Sequence, residues 1–172
     1  FSHVIVSTDD SEIAKVAKQY GADVPFIRPE ELSNDYVGTI PVIKHTIEWM
    51  DNHHHIDNVC CLYATAPFIQ SKILSKAYQQ LIDSKKDYCF SVTSYAFPIQ
   101  RALKIEQGNK VNMFYPEYFD KRSQDLEDAY HDAGQFYWGK AQAFKDELTL
   151  FSEVSSPFVL PRYLVQDIDT ME

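Results

Sequence analysis

The sequence predicts an α/β protein built on a three-layer, doubly wound and mainly parallel sheet. Two observations carry this. Short apolar runs, Asn58-Val59-Cys60-Cys61-Leu62-Tyr63 and Tyr88-Cys89-Phe90-Ser91-Val92-Thr93 among them, alternate with amphipathic helical stretches, which implies βαβ units with right-handed crossovers. The run over 58–63 is almost wholly apolar, as expected of a central parallel strand.

The elements follow in order. His3-Val4-Ile5-Val6-Ser7 reads as a strand, and Asp9 with Glu12 has capping-box spacing for a helix that stops at Gly21. Ile13, Val16, Ala17 and Tyr20 recur at helical spacing within it. Residues 23–27 read as a second short extended piece, and 28–35 as a loop broken by Pro29. Ile40, Ile43, Ile47 and Met50 stripe the next helix, which ends near Asp51-Asn52. The triplet His53-His54-His55 reads as a polar helix end, because three consecutive positions cannot share one face as metal ligands must.

Ala64-Thr65-Ala66-Pro67-Phe68 turns the chain after the central strand, and Ser71 caps a helix whose inward side is Ile73, Leu74, Ala77, Tyr78, Leu81 and Ile82. After Ser94 the pattern changes. Residues 95–128 are aromatic, charged and poorly periodic, with a turn at Gln107-Gly108-Asn109, and read as an insertion carrying a hairpin. Gly134 to Gly139 returns to a strand, a short helix over Ala141 to Lys145 follows, and the last strand runs from Phe158-Val159-Leu160 through an extended Arg162-Tyr163-Leu164-Val165. The 172 residues show no repeats, linkers or low-complexity tracts, and a single domain over 1–172 is expected.

Composition narrows the classes of function. An apolar content of 45% indicates a globular protein, and a net charge of −9 argues against a nucleic-acid partner. No run reaches the roughly 18 apolar residues of a membrane span, so no membrane partner is expected. Cys60, Cys61 and Cys89 form no disulfide or metal pattern and suggest a reducing, cytoplasmic setting.

Gln166-Asp167-Ile168-Asp169-Thr170 holds the most suggestive chemistry. In a strand, Asp167 and Asp169 project to the same side, and paired carboxylates of that kind suit Mg²⁺ shared with phosphate oxygens. Taken alone, the same pair also fits a solvated acidic turn. Ligands of open α/β sheets bind outside the carboxyl ends of the strands. Thr8-Asp9-Asp10, Ala64-Thr65-Ala66-Pro67 and 166–169 all leave strand ends of that kind, which favours the metal reading.

With 6–12, 28–35, 64–67 and 166–170 placed in that order, the chain resembles the acylneuraminate cytidylyltransferases, the CMP-sialic acid synthetases. Phe97-Pro98-Ile99-Gln100-Arg101-Ala102-Leu103, Arg122-Ser123-Gln124-Asp125-Leu126 and the stretch from Ala129 to Gly139 resemble the branch that activates pseudaminic acid. The resemblance implies a nucleotide-diphospho-sugar transferase-like fold. It implies transfer of CMP from CTP to a nonulosonic acid, with Mg²⁺ held by Asp167 and Asp169 as catalytic and metal residues, serving surface glycan or flagellin glycosylation. Arg28, Asp35, Thr39 and Thr65 match positions along the nucleotide. For the sugar, Gln100, Arg101, Lys104, Arg122, Gln124, Tyr130, Asp132, Phe136 and Tyr137 are the candidates, with Arg122 forking onto the substrate carboxylate. A homodimer is expected, with the insertion reaching the neighbouring subunit.

One departure stands out. No stretch matches the Arg-, Gly-, Ser- and Lys-rich loop with which the family begins, and Phe1 falls roughly where its first helix has ended. The chain as it stands is therefore expected to bind CTP poorly and to turn over slowly or not at all. The alternatives are an enzyme for N-acetylneuraminate or another nonulosonate, and a non-catalytic domain that binds nucleotide or dimerises.

Overall fold

The computed structural model describes residues 1–166 and Ile168. Two compact units emerge, one of Phe1–Val59 with Gly139–Leu150, the other of Cys60–Trp138 with the chain from Phe151 onward.

In the first unit, helix α1 (Ser11–Gln19) is capped by Asp10, not Asp9. The Asp10 carboxylate accepts from the Glu12 and Ile13 amides at 2.7 and 2.9 Å, satisfying two donors that a helix start leaves open. That shift by one residue frees Asp9 for another partner. The expected strand over 3–7 shrinks to a single parallel bridge between Ile5 and Asp23, because only Val6 N–H to Asp23 O and Asp23 N–H to Val4 O are made there. Helix α2 (Thr39–Asp51) buries Ile43, Ile47 and Met50, one stripe at helical spacing. It packs on the short helix α4 (Ala141–Lys145), which buries Ala141, Ala143 and Phe144. Ion pairs from Lys145 to Asp51 (2.8 Å) and Lys44 to Glu147 (2.6 Å) flank this contact. The His53 and His54 amides close the helix end on Met50 O, as a polar terminus requires.

The second unit holds the sheet, in the order β1-β5-β2-β6, apart from Asn58 and Val59 of β1 and Gly139 and Lys140 of β5. The strands are β1 (Asn58–Leu62), β2 (Tyr88–Ser94), β5 (Tyr130–Lys140) and β6 (Ser155–Val159). The pair β2/β6 is parallel, with Val92 opposite Val159. Strand β5 runs against β2, since Ser91 Oγ meets the Gln135 and Phe136 amides while the Tyr95 amide bonds Ala129 O. Gly134 takes φ +59 in mid-strand, and beside it Ser91 Oγ accepts from the Gln135 and Phe136 amides. Helix α3 (Ser71–Ser84) lays Leu74, Ala77 and Leu81 on Cys89, Ala133, Phe136, Trp138 and Leu160, the core of this unit. The Trp138 indole N–H reaches Leu74 O at 3.1 Å, so the ring is buried without an orphaned donor.

The insertion forms the expected hairpin, β3 (Leu103–Glu106) and β4 (Lys110–Met113), closed by Gly108 and Asn109 at φ +78 and +61. Its register puts Leu103, Ile105, Val111 and Met113 on one face, and Lys104, Glu106, Lys110 and Asn112 on the other. One expectation fails at the far end. Residues 162–164 form a 3-10 turn, not an extended continuation of β6. The last rung is Leu160 N–H to Val92 O, and Pro161 has no amide with which to continue the ladder.

Candidate active site

In the first unit, Arg28 is the most firmly held of the expected nucleotide residues. Its amide bonds Thr8 O at 2.8 Å, its Nε donates to Ser33 Oγ at 3.0 Å, and its Nη2 pairs with Asp9 at 3.1 Å. The side chain is only 23% exposed, so the guanidinium is anchored and still within reach of solvent. Ser33 and Asp9 therefore set the orientation of Arg28, a role that their sequence separation conceals. Asp35 lies exposed in the turn after Ser33, and Thr39 is the first residue of α2.

In the second unit, Thr65 is half-buried in the loop after β1, and its carbonyl accepts from the Ile168 amide at 3.3 Å. Asp167 and Asp169 themselves lie outside the described residues. Among the described residues, no group of three or more His, Cys, Asp or Glu side chains is arranged to hold a metal ion.

The expected sugar residues separate into three environments. Gln100, Arg101, Lys104, Arg122 and Gln124 belong to the insertion. Gln100 donates to Glu127 O at 3.0 Å, and its Oε1 is buried with no protein partner. Arg101 reaches only Ser123 Oγ, at 3.5 Å, and Lys104 pairs with Glu106 at 2.9 Å. Gln124 is exposed. Arg122 forks onto Asp125 of its own turn at 2.8 and 3.2 Å, which spends the geometry expected for a substrate carboxylate. Tyr130 opens β5 and is exposed. Asp132 and Tyr137 act together, with Tyr137 O–H donating to Asp132 Oδ2 and the Gly134 amide donating to Oδ1. Burial first, and then the Asp132 carboxylate, push the Tyr137 phenol well up, so it stays a donor at neutral pH. Phe136 is wholly buried in the core beneath the sheet, and no face of it is open to a ligand.

Composition and spacing did not single out Gln135. It is 2% exposed, its backbone oxygen takes the Tyr63 amide, and its Nε2 donates to Leu164 O at 2.6 Å. One side chain thereby pins the turn that leads into the acidic stretch.

The three cysteines are free. Burial raises their thiols, Cys61 to about 11 and Cys89 to about 12, with Cys60 raised as well. Two results are expected. Alkylation at pH 8 should be far slower in folded protein than in urea, because thiolate is the nucleophile. A thiol held neutral by the fold adds stability that is present below its unfolded value. That stability should decline as pH rises from about 9 toward 12, read as a falling urea midpoint.

A parallel β2/β6 pair, helix α3 packed on the sheet and β5 running against β2 accord with a nucleotide-diphospho-sugar transferase fold. The solved structure of a CMP:2-keto-3-deoxy-manno-octonic acid synthetase complexed with CTP shares it, at TM-score 0.59 and 12% identity over 92% of this chain and 72% of that one. Residues 1–153 match the family described as Cytidylyltransferase, and the chain belongs to that family. Among its relatives, the pseudaminic acid cytidylyltransferase of Campylobacter jejuni serotype O:2 is 46% identical over 100% of this chain and 75% of that protein. The N-acylneuraminate cytidylyltransferase of Escherichia coli O18:K1:H7 is 26% identical over 98% of this chain and 39% of that protein.

Proposed function

We propose that this protein activates pseudaminic acid, transferring CMP from CTP and releasing pyrophosphate. The observation that carries the reading is similarity to a pseudaminic acid cytidylyltransferase along the whole chain, at 46% identity against 26% and 31% for two N-acylneuraminate cytidylyltransferases. In the reaction, the sugar's anomeric oxygen attacks the α-phosphorus in line. The bond from that phosphorus to the bridging oxygen breaks, pyrophosphate leaves, and the hydroxyl proton passes to a base or to solvent. Such chemistry depends mainly on positioning and on neutralising charge.

Arg28, oriented by Asp9 and Ser33, offers cationic donors to the nucleotide, with Asp35 and Thr39 alongside. Thr65 takes the loop beneath it. Asp167 and Asp169 would hold Mg²⁺, which when bound neutralises phosphate charge and polarises the attacking hydroxyl. The hairpin of the 95–128 insertion suits a second copy of the chain, because Leu103, Ile105 and Val111 are exposed together on one face. A homodimer in the cytoplasm, where CTP is made, completes the reading.

Incubation with CTP and Mg²⁺ tests it, with pseudaminic acid, N-acetylneuraminic acid or legionaminic acid supplied in parallel. Pyrophosphate should be released fastest with pseudaminic acid. Equal or faster release with N-acetylneuraminic acid would move the assignment to the sialic acid branch.

A further inference from the structure

We infer that Arg162 is a substrate-binding residue that takes the carboxylate of the acidic sugar. This rests on the proposed reaction with a nonulosonic acid. The carboxyl ends of β2 and β6 lie side by side, and β5 begins at the same end, because the Tyr95 amide bonds Ala129 O. Arg162 stands there, on the turn just after β6. Its Nη1 donates to Ser94 Oγ at 3.4 Å and to Tyr95 O at 3.3 Å, both neutral acceptors. Among the described residues, its Nε and Nη2 have no acceptor and no carboxylate pairs with it.

The contrast with the other arginines of this unit decides the assignment. Arg122 is neutralised two-pronged by Asp125, and Arg101 sits on the insertion with one weak contact to Ser123. Arg162 meets only neutral acceptors among the described residues and presents an open fork, the geometry that matches a carboxylate. Its backbone is also held. Gln135, almost fully buried, bonds Leu164 O within the same turn, and Ile168 bonds Thr65 O a few residues on. Tyr95, whose carbonyl Arg162 grips, packs its ring edge-on to His131 at 4.8 Å, adding an aromatic wall and a second donor-bearing ring at that strand end.

The test compares the sugar acid with its methyl ester, which lacks the charge and keeps the rest of the sugar. Wild-type protein should show a KM for the acid roughly ten- to a hundredfold below that for the ester. Arg162→Gln should erase that preference by raising KM for the acid, with kcat, KM for CTP and the melting temperature nearly unchanged. Arg162→Lys should restore part of it. If Arg162→Gln still prefers the acid, or loses affinity for CTP instead, this inference is overturned while the proposed reaction stands. Wild-type protein that releases no pyrophosphate with either sugar would overturn both.

Discussion

Replacing Phe136 by alanine should cost about 3–5 kcal/mol of stability, the range seen when a large aromatic is deleted from a packed core. The side chain is 0% exposed, lies among Leu74, Leu81, Ala133 and Leu160, and packs against Phe158 at 5.9 Å between ring centroids. Urea unfolding followed by circular dichroism measures the loss. Tyr130→Ala, at 48% exposure, should by contrast shift the midpoint little, within roughly 0.5 kcal/mol. The pair separates two roles that aromatic residues of β5 could have in a sugar site. A Phe136→Ala protein with wild-type stability and a raised KM for sugar would place that ring in a binding pocket, against its burial.

The second large effect is expected at the acidic stretch. Under the proposed function, Asp167→Asn and Asp169→Asn should each slow pyrophosphate release at least roughly a hundredfold, since a bound metal contributes several kcal/mol at the transferring phosphoryl group. Saturation with Mg²⁺ should also need much higher concentrations. Asparagine keeps the shape and removes the charge, so melting temperatures should stay close to wild type. Unchanged Mg²⁺ dependence in both variants would show that this pair does not hold the metal.

Much of the fold is readable from residue order. Leu74, Ala77 and Leu81 of α3, and Ile43, Ile47 and Met50 of α2, repeat at helical spacing and are buried as that spacing requires. Gly108-Asn109 marks the hairpin turn, because both residues tolerate positive φ. Readability declines where neighbouring residues offer the same chemistry. Asp9 and Asp10 are equivalent as candidate caps, and only the pull of Arg28 on Asp9, 19 residues away in sequence, distinguishes them. The extended reading of 162–165 failed for a related reason. Local composition suits a strand, yet the partner strand β2 ends at Ser94 and Pro161 cannot donate to it.

The candidate site divides in the same way. Residue types at ordered spacings single out Arg28, Thr65 and the acidic stretch as candidates, and in the structure the Ile168 amide meets Thr65 O. Which charges are available was not legible. Arg122 and Arg162 look alike in a string of letters. Folding gives one of them a carboxylate three residues along and sets the other against neutral oxygens of Ser94 and Tyr95.

By itself, then, the sequence determined the α/β class, the order of elements and the kinship with the cytidylyltransferases, because these follow from periodicity and from local motifs. Only the tertiary structure decided that Phe136 belongs to the core, that Asp9 and Ser33 orient Arg28, that Gln135 pins the turn before the acidic stretch, and that Arg162 meets only neutral acceptors among the described residues. Burial and charge pairing depend on which distant segments meet. That is a property of the packed chain, and no single stretch of sequence carries it.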